Sequence, residues 1–286
     1  MRISKDRIQT IEQTAPFYPA EWKVLSDAPQ KLYAIGDGSL LKERKLTVVG
    51  SRRTPAAALK TGAEIVKGVT SVFTVVTGSA DGGDSAAIEG ALAADGKVIC
   101  VLAGGFAAIP QGNLSLLERV AEKGLLLSPH EYDTPIRSFS YEYRNKLIAL
   151  LGEGTLVLGA AEKSGALITA RYAKEQGKRL FALPYAPNVA AGAGCNTLIK
   201  KGAYLTETAE DILQNFGIEM KNECPMVALN DEEIRMLEAL RTLSVGHITR
   251  LSTMANVPVF KARAVLSSLE VKGLCVSVGG NQYSPV

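Results

Sequence analysis

LTVVGSRRTPAAALKTGAEIVKGVTSVFTVVTGSADGGDSAA, residues 46–87, decides the fold. Its first five residues are apolar or β-branched on successive positions and end at Gly50. Ala56 to Lys67 then carries helical spacing, VFTVVTG (72–78) reads as a second strand closing on a glycine, and a small-residue helix runs from about Gly83 to Ala94. A strand that is apolar on consecutive positions has to be covered on both faces. Crossover helices do this, and they make neighbouring strands parallel.

The same alternation continues downstream. KVICVLAGG (97–105), LLLS (125–128), GTLVLGAA (154–161) and RLFALP (179–184) read as further strands, with a helix from Leu167 to Gln176 before the last. The expectation is an α/β domain over 45–215, Rossmann-like and doubly wound around a mostly parallel sheet. Upstream, residues 1–44 read as an extension packing on that domain: a short helix and an extended strand, with Trp22 as a packing anchor. Gly50, Gly78 and the pair Gly104–Gly105 close strands, the place where open α/β sheets bind ligands and where glycine lets backbone N–H groups approach phosphate.

Beyond Asn215 the periodicity is lost and a proline enters, so 216–229 reads as a linker. DEEIRMLEAL then forms an amphipathic helix capped by Asn230 or Asp231, with Ile234, Leu237 and Leu240 as its apolar positions. HITRLSTMA is a second helix and VPVFKARAVLSSLEVKG a third, closed by Gly273. LCVSVGGNQYSPV is a hairpin turning at Gly279, Gly280 and Asn281. Three helices and a hairpin within 230–286 are the order of a winged helix.

Composition narrows the function. The chain has 286 residues, enough for a medium domain and a small one. Its net charge of +3 is too mild to mark a nucleic-acid binder by bulk charge, so any such site has to be a local cluster. Cys100, Cys195, Cys224 and Cys275 are far apart in sequence, and the histidines are His130 and His247. Neither a zinc site nor a disulfide framework is expected, and buried free thiols in a reducing cytoplasm are. The N-terminus lacks the apolar core of a signal peptide, and no run reaches about 18 apolar residues, so a soluble cytoplasmic protein without membrane attachment is expected.

Six collinear motifs then carry a resemblance over about residues 45–213. They are LTVVGSRRT, VVTGSADGGDSAA, VLAGGFAAIPQGN, SFSYEYRNKLIALL, KSGALITARYAKEQGKRLFALP and GAGCNTLIKKGAYLTETAEDIL. In this order they resemble the DprA/Smf (DNA-processing protein A) family, and the tail resembles the winged helix that many members carry. The resemblance implies a non-enzymatic role without a cofactor. Such a protein would bind single-stranded DNA, form a homodimer, protect incoming DNA and help load the RecA recombinase during natural transformation.

Four groups of residues supply the chemistry such a site needs. Gly50 and Ser51 would offer backbone N–H groups to phosphate, joined by the forked donors of Arg52 and Arg53, with Gly78 at the next strand end. Arg144, Asn145 and Lys146 stand where a loop turns helical, just after Phe139, Tyr141 and Tyr143; cations interleaved with aromatic rings suit a single strand, whose bases stack while its phosphates meet charge. Lys163, Ser164 and Gly165 precede a helix beginning near Ala166 and would form an anion site at its N-terminus. Asn196, Lys200 and Lys201 follow a Gly-Ala-Gly loop. Two positions depart from the family pattern, Asp81 in place of an arginine and Ile88 in place of a histidine.

Two competing functions share the fold. A phosphoribohydrolase-like nucleotide enzyme or sensor would use an acid in the glycine-rich loop; AGGFAAIPQGN has none, which leaves Asp81 and Asp84 as acid and base. A sequence-specific regulator would read duplex through the winged helix, yet that helix offers few side chains suited to base edges beyond Lys261, Arg263 and Lys272.

Overall fold

A computed structural model describes residues 3–219 and 229–285. It divides into two compact units, residues 1–219 and 220–286. The first is built on a nine-stranded sheet of order β1-β2-β6-β5-β4-β3-β7-β8-β9. The strands are β1 (Gln9–Glu12), β2 (Lys31–Gly36), β3 (Lys45–Gly50), β4 (Thr74–Thr77), β5 (Val98–Val101), β6 (Leu125–Ser128), β7 (Gly154–Gly159), β8 (Arg179–Ala182) and β9 (Tyr204–Leu205). Neighbours from β6 across to β9 pair in parallel. The helices α1 (Ala56–Val69), α2 (Gly83–Ala93), α3 (Leu114–Lys123), α4 (Ser138–Leu151), α5 (Gly165–Glu175), α6 (Ala193–Lys200) and α7 (Ala209–Asn215) cover its two faces.

Consecutive apolar strand residues serve opposite faces, as double coverage requires. Leu46 and Val48 of β3, Val75 of β4 and Leu156 and Leu158 of β7 pack with Ile65, Val66, Ala87, Ile88 and Ile212 of α1, α2 and α7. Val49, Val76 and Val157 point the other way, into Leu147, Ile148, Ala166 and Ala170 of α4 and α5. Each such side chain stabilises the fold by about 1.5–3 kcal/mol when fully buried. Ile88, where the resemblance leads one to expect a histidine, is 1 % exposed and belongs to the first of these cores.

The N-terminal segment is part of the sheet itself rather than a lead into it. β2 pairs antiparallel with β6 through Tyr33 to Gly36, and β1 pairs antiparallel with β2. A 3-10 turn at Ala20–Trp22 replaces the expected helix. Trp22 is fully buried, and its indole Nε1 donates to the Leu147 carbonyl at 2.9 Å, which ties this segment to α4. The strand expected over 97–105 ends at Val101: Leu102 N still donates to Leu127 O of β6, but by Gly105 the chain has turned to the 130s loop, its N–H donating to Thr134 O. α3, α6 and α7 are additional to the sequence expectation. Helix α4 begins at Ser138, so Phe139, Tyr141 and Tyr143 lie on the helix and not before it.

Residues 216–219 fall in the first unit, where Phe216 packs 5.0 Å from Phe73. Most of the expected linker, 220–228, lies outside the described residues. The second unit is a winged helix: α8 (Asp231–Leu243), α9 (Ile248–Ala255) and α10 (Val259–Val271) with a three-stranded antiparallel sheet of β10 (Gly246–His247), β12 (Gln282–Pro285) and β11 (Cys275–Gly279). Asn230 caps α8, accepting from Glu233 N, while the Glu233 carboxylate accepts in return from Asn230 N. That carboxylate also accepts from Lys272 Nζ and Ser268 Oγ, each at 2.7 Å. The buried face of α8 runs through Met236, Leu237 and Leu240; Ile234, expected there, is exposed. Among the described residues no helix is long and apolar enough to cross a membrane, and no cluster suits a metal ion.

Candidate functional site

β3 lies inside the order, with β4 to one side and β7 to the other, so the chain reverses direction of travel across the sheet there. A cleft of about 430 Å³ opens at the carboxyl ends of these strands, where such a reversal leaves room between diverging loops. Its walls come from four places: Val49 to Arg53 at and beyond the end of β3, Ala80 and Asp84 on either side of the start of α2, Tyr141, Arg144 and Asn145 on α4, and residues from Ala161 to Thr169 across the start of α5. Nine residues singled out from sequence meet in it: Gly50, Ser51, Arg52, Arg53, Arg144, Asn145, Lys163, Ser164 and Gly165.

The rim is cationic. Arg52, Arg53 and Lys163 are exposed, and the Arg52 guanidinium sits 5.7 Å from the centre of the Tyr141 ring. Ser164 caps α5, its Oγ accepting from Ala166 N at 3.3 Å, and Asn145 Nδ2 donates to the Gly165 carbonyl at 3.2 Å, binding α4 to the α5 N-terminus. The backbone at the end of β3 is already engaged. Ser51 N donates to Gly159 O at 2.8 Å and Arg53 N donates to Ser51 Oγ at 3.1 Å. Gly50 is needed instead for close packing, since a Cβ there would stand 2.8 Å from Gly83 Cα.

The floor is different. Arg144 is 5 % exposed, and its Nη1 lies 3.3 Å from Asp84 Oδ2, a carboxylate that is itself 4 % exposed. Burial pushes the Asp84 carboxyl up, against the Arg144 guanidinium and the Ala80 and Gly50 N–H groups, which favour its ionised form. Gly78 makes this pairing possible, because a Cβ there would fall 1.2 Å from Arg144 Nη1. Behind it Cys100 Sγ donates to Gly78 O at 3.0 Å; burial pushes that thiol well above its ordinary range, so it stays protonated and inert. Two buried polar atoms of residues that line the cleft, Arg144 Nε and Thr169 Oγ1, are sealed from solvent and find no hydrogen-bond partner among the described residues.

The remaining sequence candidates lie elsewhere. Lys146 Nζ is 2.6 Å from Asp27 Oδ1, Phe139 is exposed on the first turn of α4 without lining the cleft, and Gly78 acts from behind. Asn196 holds the backbone of Tyr185 through both its amide atoms, and with Lys200 it lines a neighbouring groove beside Glu162 and Leu205. Asp81 is exposed on the turn before α2, outside the lining. Sequence reasoning missed Thr169, which sits inside the resemblance as an ordinary helical threonine, and the pairing of Asp84 with Arg144. No local signal joins two residues sixty positions apart.

The family model for DNA recombination-mediator protein A matches residues 9–217. The chain belongs to this family. It is 37 % identical to the DNA processing protein DprA of Bacillus subtilis over 210 residues, 72 % of this chain and 71 % of that protein. It is 32 % identical to the protein Smf of Escherichia coli over 282 residues, 94 % of this chain and 75 % of the other. Among solved structures, the DNA processing protein A (DprA) of Streptococcus pneumoniae superposes with a TM-score of 0.70 at 32 % identity, over 73 % of this chain and 74 % of that one. The Helicobacter pylori family member, whose structure was described for its single-stranded DNA binding mode, gives 0.66 at 28 % identity over 73 % and 95 %.

Proposed function

We propose that this family member binds single-stranded DNA in the cleft between β3, α4 and α5, protects incoming strands and helps load the RecA recombinase during natural transformation. The observation that carries the reading is the rim: three exposed cations and an aromatic ring around one opening, the pairing of charge with a stacking face that a flexible strand needs. On this reading the cleft residues hold the DNA and no reaction is catalysed. The protein works in the cytoplasm as a homodimer, and the 230–286 winged helix is auxiliary. Its α10 exposes Phe260 where a duplex reader needs polar side chains, and the Arg263 fork donates to Asn281 Oδ1 at 2.9 Å. A nucleotide-hydrolysing alternative would need an acid facing the ligand. Asp84 is buried against Arg144, and Asp81 lies outside the cleft.

Fluorescence polarisation of the purified chain against single-stranded, duplex and mononucleotide ligands over a salt series tests this. Single strands are expected to bind more tightly than duplex, with affinity falling as salt rises, because each phosphate neutralised releases counterions. Arg52→Glu is expected to weaken single-strand binding by roughly tenfold or more. Equal affinity for duplex, or binding indifferent to both salt and Arg52, overturns the proposal.

A further inference from the structure

Of the thirteen large apolar side chains exposed among the described residues, eight lie in the second unit, by far the smaller of the two. On α10 they are ordered. Phe260 is 80 % exposed and Val271 90 %, and Ala264 and Ser267 between them are exposed as well. Steps of four, three and four residues bring these side chains onto one stripe along the helix, the spacing of a seam that packs on another helix. The opposite side of α10, with Ala262, Val265, Leu266 and Leu269, is buried in its own unit. Arg263 and Glu270, one helical repeat of seven apart, both flank the stripe on the side of the wing. The wing holds them there: Arg263 Nη2 donates to Asn281 Oδ1 at 2.9 Å, and Ser277 N donates to Glu270 Oε1 at 3.0 Å. Both side chains remain exposed.

We infer that α10 is a contact between two copies of this chain, paired antiparallel about a two-fold axis. In that arrangement Phe260 of one helix faces Val271 of the other and Ala264 faces Ser267, so the small residues meet at the centre and let the helix axes approach to about 8 Å. The same rotation sets Arg263 beside Glu270 of the second copy, twice over. A parallel pairing brings Arg263 to Ser268 instead and forms neither ion pair. The partner is named by this self-complementarity, in shape and in charge, which a DNA duplex does not require. One 13-residue helix from each side is a small interface, so the contact is weak by itself, with a dissociation constant on the order of 10–100 µM. It is independent of the cleft, and it gives the homodimer proposed above a surface in the winged helix.

Interchain disulfide formation in the full-length chain, at about 50 µM, tests this. Cys224 is first replaced by serine; Cys100, Cys195 and Cys275 are buried. Two chains of different length, one carrying Ala264→Cys and the other Ser267→Cys, are produced together and oxidised mildly. The mixed dimer is expected to exceed either like-with-like product. Phe260→Cys alone is expected to give little, because antiparallel pairing separates the two copies of that position by eleven residues, about 16 Å. Adding Arg263→Glu or Glu270→Arg to both chains turns two attractions into two repulsions and should lower the mixed yield by about tenfold, and the two reversals together should restore it. Each reversal also removes a bond to the wing. The double variant lacks both of those bonds, so its recovery reports the contact between copies and not the wing. A double variant that stays as low as the single ones overturns the inference. So do cross-linking at Phe260→Cys and absence of the mixed product. A reversal that alters duplex affinity while leaving the cross-link unchanged assigns the face to DNA and overturns it too.

Discussion

Replacing Gly78 with alanine puts a methyl carbon 1.2 Å from Arg144 Nη1, 2.4 Å from its Cζ and 2.5 Å from Asp84 Oδ2. None of these distances can stand, so the guanidinium has to leave its slot. Asp84 would then keep its backbone N–H donors but lose the countercharge, and breaking a buried pair in this way costs about 3–5 kcal/mol. Trp22 is the single tryptophan of the chain and lies buried in the first unit, so its fluorescence follows that unit alone during urea unfolding. With an unfolding slope near 3 kcal/mol per molar, the midpoint should fall by roughly 1–1.7 M. The control is Gly112→Ala, at an exposed turn where a Cβ would meet nothing within 4 Å; it should be neutral or stabilise by up to about 1 kcal/mol. A Gly78→Ala stability within about 0.5 kcal/mol of wild type would refute the argument that this glycine exists to seat Arg144.

The second unit should show its own acid sensitivity. Hydrogen bonds from Lys272, Ser268 and the Asn230 N–H hold the Glu233 carboxyl down at about 2, against an ordinary value of 4.5. The unfolded chain therefore takes up this proton first, so the stabilisation is fully present above about pH 4.5 and is lost as pH falls toward 2. Amide exchange along α8 should accelerate across that window in the wild type, and this component should be missing in Glu233→Gln. Deleting residues 227–286 is expected to leave Trp22 unfolding cooperative and single-strand affinity within a few-fold of wild type, as measured by the same polarisation titration; a folded fragment that cannot bind would assign DNA binding to the winged helix.

The central sheet was legible because its signals are local. LTVVG and VFTVVTG are apolar on successive positions, and the structure divides Val48 from Val49 between two cores as that pattern requires. α3 was not read, although Leu114, Leu117, Val120 and Ala121 share one face, because it follows a glycine-rich loop that draws attention to turn chemistry. The start of α4 was obscured because Phe139 on its first turn is 65 % exposed, so the apolar stripe begins late. In the site, the residue types singled out after a strand and before a helix are ones the structure brings together at the rim, since arginines after a strand and a Ser-Gly before a helix have local meanings. They could not separate Arg52, open to solvent, from Arg144, sealed against a carboxylate supplied by another element. Nor could they distinguish a glycine that receives a phosphate from Gly78, which receives a side chain.

The antiparallel pairing of β2 with β6 joins Ala34 to Leu127, and the cleft needs residues as late as Thr169. At about 5–20 residues per second, a ribosome takes several seconds to supply the partner that β2 awaits, and several more to complete the cleft. Strands β3 to β6 can zip up in order of synthesis, each beside the one before it, and β2 then closes that half. The opposite wall, on β7 and α5, emerges last. A chain still being translated can thus pair β3 to β6 early, while the cleft is complete only once α5 has emerged as far as Thr169.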